Sequence, residues 1–109
     1  MLAEYLKTAL AWDSHQGNAR QANVEFDRLQ ALQLRLRESP EGRAGIADLA
    51  THENEGVRLC AASHALAWDP DLAVSALEAL AASTGLHALS AKYTLRSYRS
   101  GTVKLDWQP

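Results

Sequence analysis

The fold is decided by the stretch "HENEGVRLCAASHALAWDP", residues 52–70 of the 109-residue chain. After a polar turn, nearly every residue from Val57 to Trp68 is apolar or small, whichever side of a helix it would occupy. A helix with so little polar surface belongs inside a domain, in contact with other helices on two sides. The stretch therefore predicts a helix over about residues 55–68 in the middle of a stack of helices.

Five further helices are predicted around this central one. In the remaining segments apolar residues recur at three-and-four spacing, the period of a helix with one buried face. We expect these helices near residues 2–13, 19–38, 40–50, 70–82 and 86–99. The last residues, 102–109, alternate apolar and polar positions, which is typical of a short strand or of a docked extended segment.

Three junctions carry residues that start helices. Ser39-Pro40 and Asp69-Pro70 each place a capping side chain before a proline, which loses no hydrogen bond at the first helical position. Asn18 is a third capping residue, with a glutamine three positions later to complete a capping-box-like pair. These junctions predict the starts of the second, third and fifth helices.

The same spacing predicts which side chains face inward. In the second helix these are Ala22, Phe26, Leu29, Leu32 and Leu36. In the last helix they are Leu89, Tyr93, Leu95 and Tyr98. On the first helix we expect the opposite face, with Glu4, Lys7 and Thr8, to lie in solvent.

The pentapeptide "ALAWD" occurs twice, at residues 9–13 and 65–69, and each copy ends a predicted helix. Trp12 and Trp68 are interpreted as core residues at helix ends, each with an indole N–H that seeks a carbonyl oxygen. A duplicated unit is not supported, because one repeat length after the first copy the chain is polar, at residues 37–39.

Composition indicates one soluble domain in a reducing compartment. The length suits one domain, and 47% hydrophobic residues with 22% charged residues argue against disorder. A single cysteine, Cys60, forbids an internal disulfide. We find no secretory signal and no window that could span a bilayer, so we expect a cytoplasmic protein without a membrane partner.

Two of the junctions, Ser39-Pro40 and Asp69-Pro70, lie 30 residues apart, and each opens a short helix followed by an alanine-rich one. A helical hairpin of about this length is typical of α-solenoids such as HEAT repeats. We therefore predict an all-α fold, a short right-handed HEAT-like α-solenoid of about six helices in three hairpins with a short C-terminal extension. Its parts are an N-terminal helical pair, two repeats and a tail, over residues 1–38, 39–69, 70–101 and 102–109.

Residues 18–101 resemble a small bacterial family of HEAT-like helical domains of unknown function. The similarity lies in "ANVEFDRLQAL" (22–32), in "HENEGVRLCAASHALAWDP" (52–70) and in "TLRSYRSG" (94–101). Some members resemble immunity proteins, which are encoded beside secreted polymorphic toxins. The resemblance implies a protein-binding role with a cognate toxin domain as partner, and it brings no catalytic motif.

Patterns for enzyme chemistry are weak. No glycine-rich phosphate loop is present, and the histidines, His15, His52, His64 and His87, include no metal-binding pair on one helix. Cys60 and His64 have the i, i+4 spacing of a nucleophile and its base. Burial in an alanine-rich helix would raise the pKa of the thiol and keep it inert. We therefore expect no enzyme activity, no metal and no cofactor.

The candidate partner-binding residues lie in two places. Glu53, Glu55 and Arg58 belong to the middle turn, and Arg96 and Arg99 lie on the last helix, where with Lys92 they form a basic stripe. Arg58 has two interpretations: it stitches the turn together through carbonyl oxygens or a carboxylate, which we favour, or it anchors a partner. The basic stripe is either a solvated helix end or a docking patch.

Three functional hypotheses follow. The first is an immunity protein that binds a cognate toxin domain and occludes its active site or the approaches to it. The second is a HEAT-like adaptor or scaffold with no toxin partner, which would have the same sequence features. The third is a HEAT-like nucleic-acid-binding protein, which the net charge of −2 disfavours. The oligomeric state stays open.

Overall fold

The computed structural model describes all 109 residues and contains six α-helices and no strand. The helices are α1 (Leu2–Ser14), α2 (Ala19–Leu36), α3 (Pro40–Leu49), α4 (Glu55–Ala65), α5 (Pro70–Ala81) and α6 (Ala88–Arg99). The predicted all-α fold of about six helices is confirmed. Boundaries differ by two or three residues, since α2 ends at Leu36, α4 at Ala65 and α6 begins at Ala88.

Two of the three predicted caps form. The Asn18 side chain accepts a hydrogen bond from the backbone N–H of Gln21, and the Ser39 hydroxyl accepts one from Gly42. Asp69 occupies the N-cap position of α5, as predicted, but its side chain makes no capping hydrogen bond. Its carbonyl oxygen still accepts the first helical bond, from the N–H of Ala73 at 3.0 Å. Pro70 with its fixed φ therefore opens α5 without a side-chain cap.

Helices that follow one another pack as hairpins around α4. The pairs α1–α2, α3–α4 and α5–α6 lie side by side, and α4 contacts α1, α3 and α5. Val57, Ala61, Ala62 and Ala65 of α4 are completely buried. The predicted central position of this helix is confirmed, and its alanines let three neighbours approach closely.

Two of the expected positions of side chains on α1 and α2, those of Thr8 and Phe26, are wrong. Thr8 is buried, and its hydroxyl donates to the carbonyl oxygen of Glu4, which satisfies it inside the helix. Phe26 is 47% exposed, whereas Gln30 and Gln33 are buried. The reason lies in the tail, residues 102–109, which covers this face of α2 and presents carbonyl oxygens to both glutamines.

The tail forms the docked extended segment rather than a strand. Gln30 Nε2 and Gln33 Nε2 donate to the carbonyl oxygen of Leu105 at 3.0 and 3.1 Å. The Trp107 ring stacks on Phe26 with centroids 5.6 Å apart. Polar and aromatic contacts with α2 thus replace the pairing that a strand would need.

The close packing of α4 predicts its response to a larger side chain. We expect Ala62→Leu to lower the free energy of unfolding by about 1–3 kcal/mol, because the added atoms have no space between α4 and its neighbours. Ala79→Leu, the same change at an exposed position of α5, should alter it by less than about 0.5 kcal/mol. Urea denaturation compares the two variants, and equal losses would contradict the central role of α4.

Candidate functional site

The middle turn is held together by Arg58. Its guanidinium Nη1 donates to the carbonyl oxygens of His52 at 3.0 Å and Glu53 at 3.3 Å, and its Nη2 lies 3.8 Å from the Glu55 carboxylate. The side chain therefore links the backbone carbonyl oxygens of the turn, which is the interpretation favoured from the sequence. The Glu53 side chain is exposed and makes no ion pair with it.

Glu55 brings the middle turn beside the start of α6. Its carboxylate lies against Gly85 in the turn between α5 and α6, where a β-carbon would come within 2.8 Å of Glu55 Cδ. The absence of a side chain at Gly85 lets the two turns approach. Glu53, Glu55 and Arg58 therefore lie near the N-terminal end of α6.

Arg96 and Arg99 lie at the other end of α6, about 12 Å or more along the helix axis from its first residue. The structure therefore places the five candidate residues in two groups rather than in one site. Both arginines are exposed. Arg99 Nη2 lies 3.3 Å from Glu78 Oε2 on α5, but both side chains are 57% exposed, so this ion pair contributes little to stability.

An apolar surface that was not predicted from the sequence lies on α6 and in the turn that precedes it. Leu86, Leu89 and Tyr93 are 74%, 78% and 70% exposed, although Leu89 and Tyr93 were predicted to face inward. Leu95 is buried, as predicted, and Ala91 is buried where Leu89 and Tyr93 had been expected to face inward. Leu89 and Tyr93 share one side of the helix. Ala91 and Leu95 each follow two positions later, a rotation of roughly 200° about the helix axis, and therefore lie on the opposite side. We call Leu86, Leu89 and Tyr93 the α6 outer face.

The outer face is bordered by cations. Lys92 and Arg96 occupy positions on α6 adjacent to Leu89 and Tyr93, and both are exposed. Together with Arg99 they line a shallow groove between α5 and α6. The basic stripe therefore lies next to an exposed apolar surface.

A polar junction joins α1, α4 and α6. Asp13 Oδ1 lies 2.6 Å from His87 Nε2, just before α6, and Asp13 Oδ2 accepts a bond from the side chain of Asn54, the cap of α4. The Trp12 indole stacks on the His87 ring with centroids 5.3 Å apart. The first "ALAWD" copy thus fixes where α6 begins, a role that its sequence did not reveal.

The second copy behaves as predicted. The indole N–H of Trp68 donates to the carbonyl oxygen of Arg43 at 3.2 Å, and the ring packs against the core. Trp12 also packs against the core, but its ring has an imidazole partner. The two tryptophans therefore share a position at a helix end and differ in what they contact.

Burial controls the protonation of three core side chains. It raises the pKa of the Cys60 thiol to about 12, with the nearby Asp13 carboxylate adding to the effect, so the thiol stays protonated. Burial likewise raises the pKa of Tyr5 well above its ordinary value. The Tyr5 hydroxyl lies 2.6 Å from His64 Nδ1, and we assign it as the donor to a neutral imidazole. Burial, helped by the positive charge of Arg37, lowers the pKa of His64 to about 4.

No group of three or more His, Cys, Asp or Glu side chains is placed to hold a metal ion. No helix is long and apolar enough to cross a membrane. Comparison with protein-family models, with curated proteins and with solved structures finds no match to the chain.

The polar junction depends on the absence of a side chain at Gly56 of α4. A β-carbon there would come within 2.5 Å of Asp13 Cγ and 2.6 Å of Asp13 Cβ. We expect Gly56→Ala to lower the free energy of unfolding by about 2 kcal/mol, because Asp13 would lose its bonds to His87 and Asn54. Gly17→Ala, at a position with open space, should have little effect or stabilise slightly. Thermal and urea unfolding of both variants tests this, and a neutral Gly56→Ala would contradict the tight contact.

The Tyr5–His64 pair predicts a pH dependence of stability. The unfolded chain protonates His64 near its ordinary pKa of 6.5, whereas the folded protein keeps it neutral down to about pH 4. We therefore expect a contribution of about 3 kcal/mol that is fully present at neutral pH and lost as the pH falls from about 6.5 to 4. His64→Gln should remove this component, measured as the difference between the two proteins in urea denaturation across that range. If the free energies of unfolding of the two proteins change in parallel across this pH range, the expected contribution of His64 is refuted.

Proposed function

We propose that this protein is a protein-binding domain that acts as an immunity protein: it binds a cognate secreted toxin domain and occludes its active site or the approaches to it. The observation that supports binding is the α6 outer face, in which Leu89 and Tyr93 lie about one helical turn apart on α6, Leu86 precedes the helix, and all three side chains are exposed. The toxin as partner rests on the family resemblance, and the cytoplasm as the place of action rests on the sequence features described above.

The outer face has the chemistry of a protein interface. Contiguous apolar patches on a protein surface mark binding sites, and tyrosine is one of the residues enriched at the desolvated centres of interfaces. Leu89 and Tyr93 are neighbours on the helix at i, i+4 spacing. A partner that covers them gains apolar burial without any rearrangement of the backbone of α6.

The charges around this face favour an acidic partner. Lys92, Arg96 and Arg99 provide three cations along α6, and only Arg99 has an ion-pair partner, Glu78. Cations at the rim of an interface steer an oppositely charged partner and raise the rate of association. An acidic surface beside an apolar patch on the toxin domain would match this arrangement. Inhibition then requires no reaction catalysed by this chain, because tight binding blocks the toxin's active site or the approaches to it.

The turn residues Glu53 and Glu55 extend this surface at the N-terminal end of α6. Glu55 lies against Gly85, one residue before Leu86 of the outer face. Arg58 is engaged with the turn carbonyls and supports the shape of that edge. In this proposal the two groups of candidate residues flank one apolar centre.

The proposal is tested with the open reading frame beside the gene for this protein. We expect its product to be toxic when expressed alone, and to be neutralised by and co-purify with this protein. Leu89→Asp or Tyr93→Asp should weaken the complex by about 30-fold or more, the effect of losing a central apolar anchor. Val24→Asp, at an apolar position of α2 that is 58% exposed, is the matched control and should leave affinity unchanged.

The contrary outcomes separate the hypotheses. A harmless neighbour, or the failure of both rescue and co-purification, would refute the immunity function. If the product of the neighbouring reading frame is harmless, and a different protein binds this chain but not its Leu89→Asp variant, the adaptor hypothesis is supported. Tight binding to duplex DNA at moderate salt, reduced by Arg96→Glu, would support a nucleic-acid-binding protein instead.

A further inference from the structure

The tail is held on α2 partly through its own backbone. Gln30 Nε2 donates to the carbonyl oxygens of Leu105 at 3.0 Å and Trp107 at 2.9 Å. Gln33 Nε2 donates to the same Leu105 oxygen at 3.1 Å and to Gln30 Oε1 at 3.0 Å. Bonds to backbone carbonyl oxygens do not depend on the side chains of the bound segment. The two glutamines therefore have the geometry to bind an extended chain of varied sequence.

Burying these glutamines is costly unless they are bonded. Gln30 is 2% exposed and Gln33 is 0% exposed, and a buried amide loses its bonds to water. Gln33 Oε1 is the one buried side-chain polar atom without a hydrogen-bond partner. The tail thus satisfies the donor half of Gln33 and leaves its acceptor free. A bound segment whose backbone N–H donated to this oxygen would satisfy the remaining polar atom of the Gln33 side chain.

The side chains of the tail define three adjoining subsites. Leu105 packs against the core, Asp106 Oδ1 lies 2.5 Å from Arg37 Nη2, and Trp107 stacks on Phe26. Their order is apolar, acidic, aromatic. An extended segment with this order could occupy the same positions.

The tail does not fill the space around it. A cavity of about 280 Å³ beside the tail is lined by Trp12, His64 and Thr94, among others. A second, open cavity of about 530 Å³ is lined by Arg37, Arg43 and Trp68 together with tail residues. The two guanidinium groups of the second cavity favour acidic residues in a bound segment.

We propose that the groove formed by Phe26, Gln30, Gln33 and Arg37 of α2 is a binding site for an extended peptide segment of another protein, with an acidic residue between an apolar and an aromatic one. The tail of this chain occupies the groove until such a segment replaces it. This tail groove is a surface separate from the α6 outer face, and the proposal does not depend on a toxin partner.

An added peptide must displace the tail, and this competition limits its affinity for the groove. A tethered segment competes at an effective concentration in the millimolar range, so a free peptide binds well only when the tail is weakened. In the full-length chain, Asp106→Lys combined with Trp107→Ala removes the ion pair and the aromatic stack while leaving α2 intact. In this released variant the tail is held less tightly, so it competes less with an added peptide in an otherwise complete protein.

The probe is a fluorescein-labelled synthetic peptide with the sequence of residues 102–109, TVKLDWQP, titrated by fluorescence anisotropy. We expect saturable binding to the released variant, at least about tenfold tighter than to the wild-type chain. The peptide with lysine in place of its aspartate should bind about tenfold more weakly, because it repels Arg37. Absence of binding to the released variant would overturn the proposal.

A matched pair of substitutions tests the role of the glutamines. In the released variant, Gln33→Leu should weaken peptide binding about tenfold, since a buried donor is lost. Gln21→Leu, the same change at an exposed position of α2, should not weaken it. Equal affinities of the two would contradict backbone recognition by Gln33.

A second measurement covers the case in which the released variant fails to fold. The same peptide carrying an N-terminal nitroxide is added at millimolar concentration to the isotope-labelled wild-type chain. We expect selective broadening of the side-chain amide signals of Gln30 and Gln33, with the exposed Gln21 and Gln16 unaffected. Uniform or absent broadening would refute a site for a second chain in this groove.

Discussion

The structure depends on the burial of α4 against three other helices. Val57, Ala61 and Ala65 have no exposed surface, and their small or compact side chains set how closely α1, α3 and α5 can lie. The same packing brings the start of α4, at Gly56, beside Asp13 of α1. Asp13 in turn holds His87, and so the position at which α6 begins follows from the packing of α4. The packing of α4 in the core therefore influences where α6, which carries the outer face, begins.

The part of the fold that could be predicted from the sequence consists of local signals. Ser39 and Asn18 act through backbone groups three residues away, so capping is visible in a short window of sequence. The composition of α4 likewise identifies its central position without knowledge of its neighbours. Asp69 shows the limit of this reasoning, because a capping residue type and a proline start α5 although the side chain makes no bond.

The part that could not be predicted depends on contacts distant in sequence. On α6 the sequence correctly predicted that Leu95 is buried, but it also placed Leu89 and Tyr93 inward, and these are exposed. The packing against α5 selects the side of the helix that carries Leu95 and the small Ala91, and that choice is not visible in the spacing of the large apolar residues. Gln33 was overlooked for a related reason, since the carbonyl oxygen that allows its burial belongs to a residue 72 positions later.

The two proposed surfaces are kept apart by the path of the chain after α6. One side of α6 packs on α5, and Leu89 and Tyr93 on the opposite side are exposed. The tail does not cover that side but turns back at Gly101, whose φ is 75°, and runs to α2. The tail groove contacts a bound segment through amide donors and one guanidinium, whereas the outer face offers shape and charge. Because their chemistry differs, a folded partner suits the outer face and an extended segment suits the groove, and a single partner with both features could engage them together.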